Sequence, residues 1–226
     1  MFHVKPDEES SQNDVAAAID AVFGDRAPAA RAYREILANA GVERGLIGPR
    51  EVDRLWVRHI LNCAVMGEPI AEGATVADVG SGAGLPGIPL ALARPDLSIT
   101  LIEPLLRRHT FLTEVVAELS LSVRVIRGRA EDKAVRAEVG LSDVVTSRAV
   151  APLDRLARWS LPLIRPDGEL IAIKGSSAAD EITTHKAEVG KLGLTDLRVE
   201  SCGTDTLAVP TTIIRGRLRS PSSRRR

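Results

Sequence analysis

Glycines 80, 82 and 84 stand two residues apart, directly after Val76-Ala77-Asp78-Val79 and before Leu85-Pro86-Gly87 and Leu90-Ala91-Leu92-Ala93. A strand that breaks into a glycine turn and then enters a helix offers bare backbone and helix N–H groups to one crevice. That is the chemistry of a nucleotide pocket at the carboxyl end of a first parallel strand. Gly82-x-Gly84-x-x-Gly87 also fits the dinucleotide fingerprint, with Glu103 about 20 residues further on, which points to a nicotinamide cofactor. Asp78 argues for a different ligand. An acid two residues before the first glycine has no task at a pyrophosphate, whereas in an S-adenosylmethionine (AdoMet) site it can face the ligand's methionine end. Pro86 and Pro89 also remove N–H donors from the start of the helix, which suits a pyrophosphate poorly.

Other chemistry-bearing residues follow at the ends of later strands. Glu103 is placed to accept hydrogen bonds from both ribose hydroxyls of AdoMet. In Arg127-Gly128-Arg129-Ala130-Glu131, the backbone at Ala130 and Glu131 can meet the adenine edge, although Glu131 also suits a helix N-terminus. The run Asp143 to Pro152 ends in Ser147-Arg148-Ala149. Arg148 is its one strong functional group, for AdoMet's carboxylate, for the target base, or for a nearby acid. Lys174-Gly175 forms a second basic group on the same rim, either for phosphate or as an exposed strand end. No Asn/Asp-Pro-Pro-aromatic segment is there to hold an exocyclic amine, and no cysteine is there to attack a pyrimidine. No clustered metal ligands appear in the sequence, so no metal is expected.

These residues need a scaffold. From 75 onward strand and helix patterns alternate: strands at Val76–Val79, Ser98–Ile102, Val123–Ile126, Asp143–Thr146 and Glu169–Ile173, with helices after each. Two late strands, Leu197–Glu200 and Thr211–Ile214, have no helix between them. Repeated βα units predict an α/β fold with a doubly wound, mostly parallel sheet, and the closing hairpin inserts one antiparallel strand. Seven strands ending this way match the class I AdoMet-methyltransferase (Rossmann-like) layout rather than a plain dinucleotide fold. Before the sheet, helical spacing covers Asp14–Phe23, Pro28–Ala40 and Arg50–Met66. In this region Trp56 and His59 read as packing and capping groups, and Trp159 and Phe111 further on read as core. The organisation expected is a disordered stretch at 1–13, a helical extension at 14–70, the methyltransferase domain at 71–216 and a basic, disordered tail at 217–226.

Bulk composition fits a soluble globular chain: 226 residues, 44% hydrophobic and 27% charged. No apolar run approaches a membrane span, and the start lacks a signal-peptide pattern. Cys63 and Cys202 read as free thiols of a reducing compartment, so a cytoplasmic monomer is expected. Net charge is zero, which gives the chain as a whole no electrostatic case for nucleic acid. The last twelve residues nonetheless carry six arginines and no acid.

Taken together, Asp78-Val-Gly-Ser-Gly-Ala-Gly-Leu-Pro-Gly-Ile-Pro-Leu90, the segment Arg58-His59-Ile60-Leu61, Arg129-Ala130-Glu131, Ser147-Arg148-Ala149 and Lys174-Gly175 resemble the RsmG (GidB) family. The resemblance spans residues 30 to 215 in one collinear order, and Asn62 departs from the acid often found there in relatives. It implies AdoMet-dependent methylation of guanine N7 at guanine 527, in the 530 loop of bacterial 16S rRNA. It also implies AdoMet contacts at Gly80, Leu85, Glu103, Ala130, Glu131 and Arg148. N7 carries a free lone pair and no proton, so no general base is required, and Arg148 is expected to position rather than to take a proton. Lys174, Arg58 and His59 are the RNA-binding candidates. Other readings to be separated by experiment are a small-molecule methyltransferase, a nicotinamide oxidoreductase and a non-catalytic RNA-binding module.

Overall fold

The computed structural model describes residues 6–220, with side chains from residue 14 onward. Seven strands form one sheet: β1 (Thr75–Val79), β2 (Ser98–Glu103), β3 (Val123–Arg127), β4 (Ser142–Arg148), β5 (Ile164–Ile173), β6 (Leu194–Cys202) and β7 (Thr211–Leu218). Their spatial order is β3-β2-β1-β4-β5-β7-β6. The first five pair in parallel, and β7 lies antiparallel between β5 and β6. The expected fold class and strand count therefore hold. Strand order reverses between β1 and β4, so a crevice opens at the carboxyl ends of those two strands.

Period-two alternation divides the sheet between two cores. Val76, Ile99, Val144 and Ile171 face one cluster, while Ala77, Ile102, Val145 and Leu170 face the other. The first cluster is filled by the N-terminal helices α1 (Pro6–Phe23) and α2 (Ala27–Ile36), by α3 (Leu61–Val65), and by α4 (Gly87–Ala93) and α5 (Leu106–Glu118). Helices α6 (Lys133–Val139), α7 (Leu153–Ser160) and α8 (Ala178–Lys191) complete the fold. Ala27, Ala30, Tyr33 and Leu37 share one buried face, and Ile19, Leu55, Ile60 and Leu61 join them. The helical extension and the sheet thus share a continuous core.

Several boundaries differ from the sequence reading. Helix α1 begins at Pro6, within the stretch read as disordered; residues 1–5 lie outside the described residues. Strand β7 continues through Arg217 and Leu218, so the tail begins later than expected, and residues 221–226 also lie outside the described residues. Strands β6 and β7 are longer than their apolar cores because charged residues pair across them: Arg215 on β7 reaches Glu169 on β5 at 2.7 Å and Glu200 on β6 at 3.5 Å. The expected single helix over Arg50–Met66 is a rod of changing pitch, 3-10 over Pro49–Arg54, π over Leu55–Ile60 and α from Leu61. Among the described residues, no helix is long and apolar enough to cross a membrane.

Candidate functional site

The glycine turn is held from below and from the side. Gly80 has φ +73°, and a Cβ there would lie 2.8 Å from Val150 Cγ2, so only glycine fits this close approach. Beneath the turn, the Tyr33 hydroxyl donates to the Ala83 carbonyl at 2.8 Å, from a side chain with no exposed surface. At its side, the buried Glu103 carboxylate accepts the Gly82 N–H at 3.0 Å and the Leu105 N–H at 2.9 Å. The two bonds use different oxygens and leave each oxygen with further lone-pair capacity as an acceptor.

Above this turn lies a cleft of about 640 Å³, lined by Gly80–Ala83, Leu85, Glu103–Leu105, Arg108 and Arg148–Val150, with Leu46, Ile47 and His59 contributed by the helical extension. A smaller cavity of about 150 Å³ shares Gly80, Pro104 and Val150 with it and continues to Gly128, Ala130, Glu131 and Trp159. The sequence-derived residues Gly80, Gly82, Leu85, Glu103 and Arg148 therefore meet in the main cleft, and Ala130 and Glu131 in the side cavity. A wide compartment with acceptors at Glu103 and a narrow apolar one past Gly80 fit a nucleoside carrying a long polar arm. Trp159, read as core, is half-buried and forms a wall of the side cavity. Trp56 does pack as expected, its ring 6.5 Å from that of Phe23.

Arg148 is fixed by the N-terminal rod. Its Nη1 donates to Cys63 Sγ at 3.3 Å, and its Nη2 donates to the Arg58 carbonyl at 3.1 Å and to His59 Nδ1 at 2.5 Å. The other ring nitrogen, Nε2, lies 2.8 Å from Glu51 Oε2. A guanidinium can only donate, so Nδ1 must accept, and the proton of a neutral His59 sits on Nε2 facing Glu51. Burial lowers the His59 pKa from its ordinary value, and the bond from His59 lowers that of Glu51. Cys63, fully buried, is pushed up to about 11 by desolvation and stays a thiol.

Four expectations need correction. Asp78 lines no cleft: strand parity turns it with Val76 toward α4, where its carboxylate accepts the Gly87 N–H at 3.2 Å and the Thr146 hydroxyl at 3.3 Å. Gly84 likewise faces the core, its vacant Cβ position 2.6 Å from Ile88 Cδ1. Lys174 is neither exposed nor free, since its ammonium bonds Glu181 at 2.7 Å and the Ala151 carbonyl at 3.0 Å. His59 is committed to Arg148 and Glu51 rather than presented to solvent, which leaves Arg58 as the exposed member of the pair, 3.6 Å from Glu51. The sequence reading missed Tyr33, Glu51 and Cys63 as parts of this site. A hydroxyl on an otherwise apolar helix face was the one available signal for Tyr33. Among the described residues, one group could chelate a cation, Asp154, His185 and Glu188 on α7 and α8, and Arg158 already engages Glu188 there.

Burial pushes the Asp78 carboxyl up to about 7, despite the bonds from Gly87 and Thr146 that favour its charged form. Between about pH 4 and pH 7 the folded chain therefore holds a proton that the unfolded chain has lost, and this residue's contribution to stability falls as pH rises through that window. Asp78→Asn removes the titration. Denaturant midpoints of the two proteins across this range should diverge, the variant gaining on the wild type toward pH 7; a constant difference would show that Asp78 is ionised throughout.

The family model for GidB, rRNA small subunit methyltransferase G, matches residues 26–209 of the chain. The ribosomal RNA small subunit methyltransferase G of Rhodococcus jostii (strain RHA1) is 58% identical over 227 residues, covering 100% of both chains. That of Mycolicibacterium gilvum (strain PYR-GCK) is 61% identical over 195 residues, 86% of each chain. Among solved structures, M. jannaschii TYW2 in complex with AdoMet aligns over 74% of this chain and 78% of its own, with a TM-score of 0.55 and 20% identity, a likeness of fold.

Proposed function

This chain belongs to the rRNA small subunit methyltransferase G family, and on that premise we propose that it methylates N7 of a guanine, guanine 527, in the 530 loop of 16S rRNA. It is an AdoMet-dependent methyltransferase. Gly80, Gly82, Leu85 and Glu103 would hold the ribose and methionine portions of AdoMet, Ala130 and Glu131 would face the adenine, and Arg148 would meet the carboxylate. When bound, AdoMet would supply an electrophilic sulfonium methyl, and these residues would hold it in line with the guanine nitrogen.

The observation that supports the choice of atom is that, among the described residues lining the cleft, His59 and Glu103 are both already engaged. Both ring nitrogens of His59 are occupied, and Glu103 already accepts two backbone N–H groups. A nucleophile that must lose a proton is badly served here, whereas guanine N7 needs only alignment and exclusion of water. A shallow depression of about 500 Å³ adjoins the cleft at Ala149 and Val150 and is bounded by Lys174, Asp180 and Glu181. N7 is inaccessible inside an A-form helix, so the target base has to be splayed out of its helix to reach the cleft. The partner is the small ribosomal subunit or its precursor.

The test is transfer of labelled methyl from AdoMet to small subunits from cells lacking this gene, followed by borohydride and aniline cleavage at N7-methylguanine. One cleavage in the 530 loop is expected. Transfer elsewhere overturns the target, and no transfer to any rRNA form moves the reading to a small-molecule substrate. Arg148→Ala is expected to weaken AdoMet binding tenfold to a hundredfold, the equivalent of about 1.5–3 kcal/mol for a charge-assisted hydrogen bond. The single-turnover rate at saturating AdoMet should fall less. Unchanged AdoMet affinity would remove Arg148 from the cofactor site.

A further inference from the structure

Three of the five N–H donors of Arg148 are spent on the N-terminal rod, which leaves two for a ligand. A long, flexible guanidinium becomes a preformed binding group only when its plane is fixed, and the fixing partners all lie on the segment 58–63. The π-wound turn Leu55–Ile60 carries Arg58 and His59, and α3 carries Cys63 four residues after His59, so all three meet one guanidinium. Behind His59 stands Glu51, on the 3-10 turn, where it accepts the Nε2 proton.

We infer that Glu51 and His59 are positioning residues for Arg148, forming a carboxylate–imidazole–guanidinium chain that holds the cofactor-binding arginine in place only while His59 is neutral. Glu51 fixes the tautomer, His59 offers its Nδ1 lone pair, and Arg148 turns its remaining donors to the cleft. Protonation of His59 replaces that lone pair with N–H, and two cations then abut. The charged groups facing His59 are Glu51 and Arg58 on the rod and Arg148 on β4. The one carboxylate among them favours the charged ring, but burial outweighs it and holds the pKa below the ordinary value. The chain is therefore intact at neutral pH and fails on acidification, at pH values below the ordinary imidazole range.

This rests on the reading that Arg148 binds AdoMet, and the experiment separates the two. AdoMet dissociation constants are measured by calorimetry from pH 5.5 to 8 for wild type, His59→Ala, Glu51→Ala, Glu51→Gln, Arg148→Ala and the His59→Ala/Arg148→Ala double variant. Thermal midpoints check that each is folded. Titration of the ligand and of Asp78 is common to all and cancels in the ratios to Arg148→Ala. At pH 7.5, His59→Ala should bind about tenfold more weakly and Glu51→Ala several-fold more weakly. Glu51→Gln keeps an acceptor for Nε2–H and should stay within twofold of wild type. The double variant should be no worse than Arg148→Ala, because residues acting through one another are not additive. Relative to Arg148→Ala, wild type should lose its advantage toward pH 5.5, and His59→Ala should show no such dependence. Wild-type affinity in His59→Ala beside a loss in Arg148→Ala overturns the positioning chain alone. Full affinity in Arg148→Ala overturns the cofactor reading on which it rests.

Discussion

Glu103→Ala is expected to reduce methyl transfer by two to three orders of magnitude, with most of the loss in AdoMet affinity. The carboxylate has two duties that alanine cannot share. It terminates the Gly82 and Leu105 N–H groups, at 3.0 and 2.9 Å, and so fixes the floor and one wall of the cleft relative to each other. On the proposed reading, its remaining lone pairs accept hydrogen bonds from the ribose hydroxyls of AdoMet. Two orphaned donors at about 1–3 kcal/mol each, partly relieved by water entering the open cleft, and one lost charge-assisted contact of similar size leave a net deficit of about 3–4 kcal/mol. Glu103→Gln should fall between the two, since its amide oxygen replaces one acceptor while its NH₂ confronts an N–H. Calorimetric AdoMet binding and single-turnover rates separate the contributions. A normal dissociation constant with a slow chemical step would place Glu103 at the target base rather than at the cofactor.

How much of this could be read from the chain depends on whether the deciding information is local. The βα alternation and the glycine turn are local patterns, and with right-handed crossovers they carry the sheet order as far as the closing hairpin. Glu103 was legible because a strand-end acid one βα unit after the turn has few other uses. Asp78 was not: its parity with Val76 is visible, but that α4 covers this face closely enough to bury the acid is a tertiary fact. Lys174 shows the same limit, since its partner Glu181 lies across a turn on α8. The Glu51–His59–Arg148 chain was hidden for a different reason. Glu51 and His59 are eight residues apart, about 12 Å along a straight α-helix and too far for a direct side-chain hydrogen bond. They meet because the rod is not one straight helix: Arg54, at φ −108° and ψ 5°, breaks helical geometry between the 3-10 and π turns. Periodicity arguments assume one unbroken helix and fail where the break is part of the site.

Tyr33 makes the dependence of the site on the helical extension measurable. Its ring is fully buried among the core residues of the first cluster, and its hydroxyl supports the Ala83 carbonyl directly under the cleft. Tyr33→Ala removes both and should destabilise the chain by about 3–5 kcal/mol, the range for emptying a buried aromatic site. For a chain of this size that lowers the thermal midpoint by about 6–20 °C. Tyr33→Phe keeps the ring and removes only the hydrogen bond, which leaves a buried carbonyl unpaired at a cost of about 1–3 kcal/mol. The informative quantity is AdoMet affinity in this milder variant, measured well below its thermal midpoint. Ala83 lines the cleft, and freeing its carbonyl lets the glycine turn relax, so affinity should drop several-fold although Tyr33 itself does not line the cleft. A lowered midpoint with unchanged affinity would make Tyr33 a core residue only, and the turn rigid without it. A loss of both would mean that the extension, through Tyr33 below and His59 at the side, sets the shape of the pocket that the sheet carries.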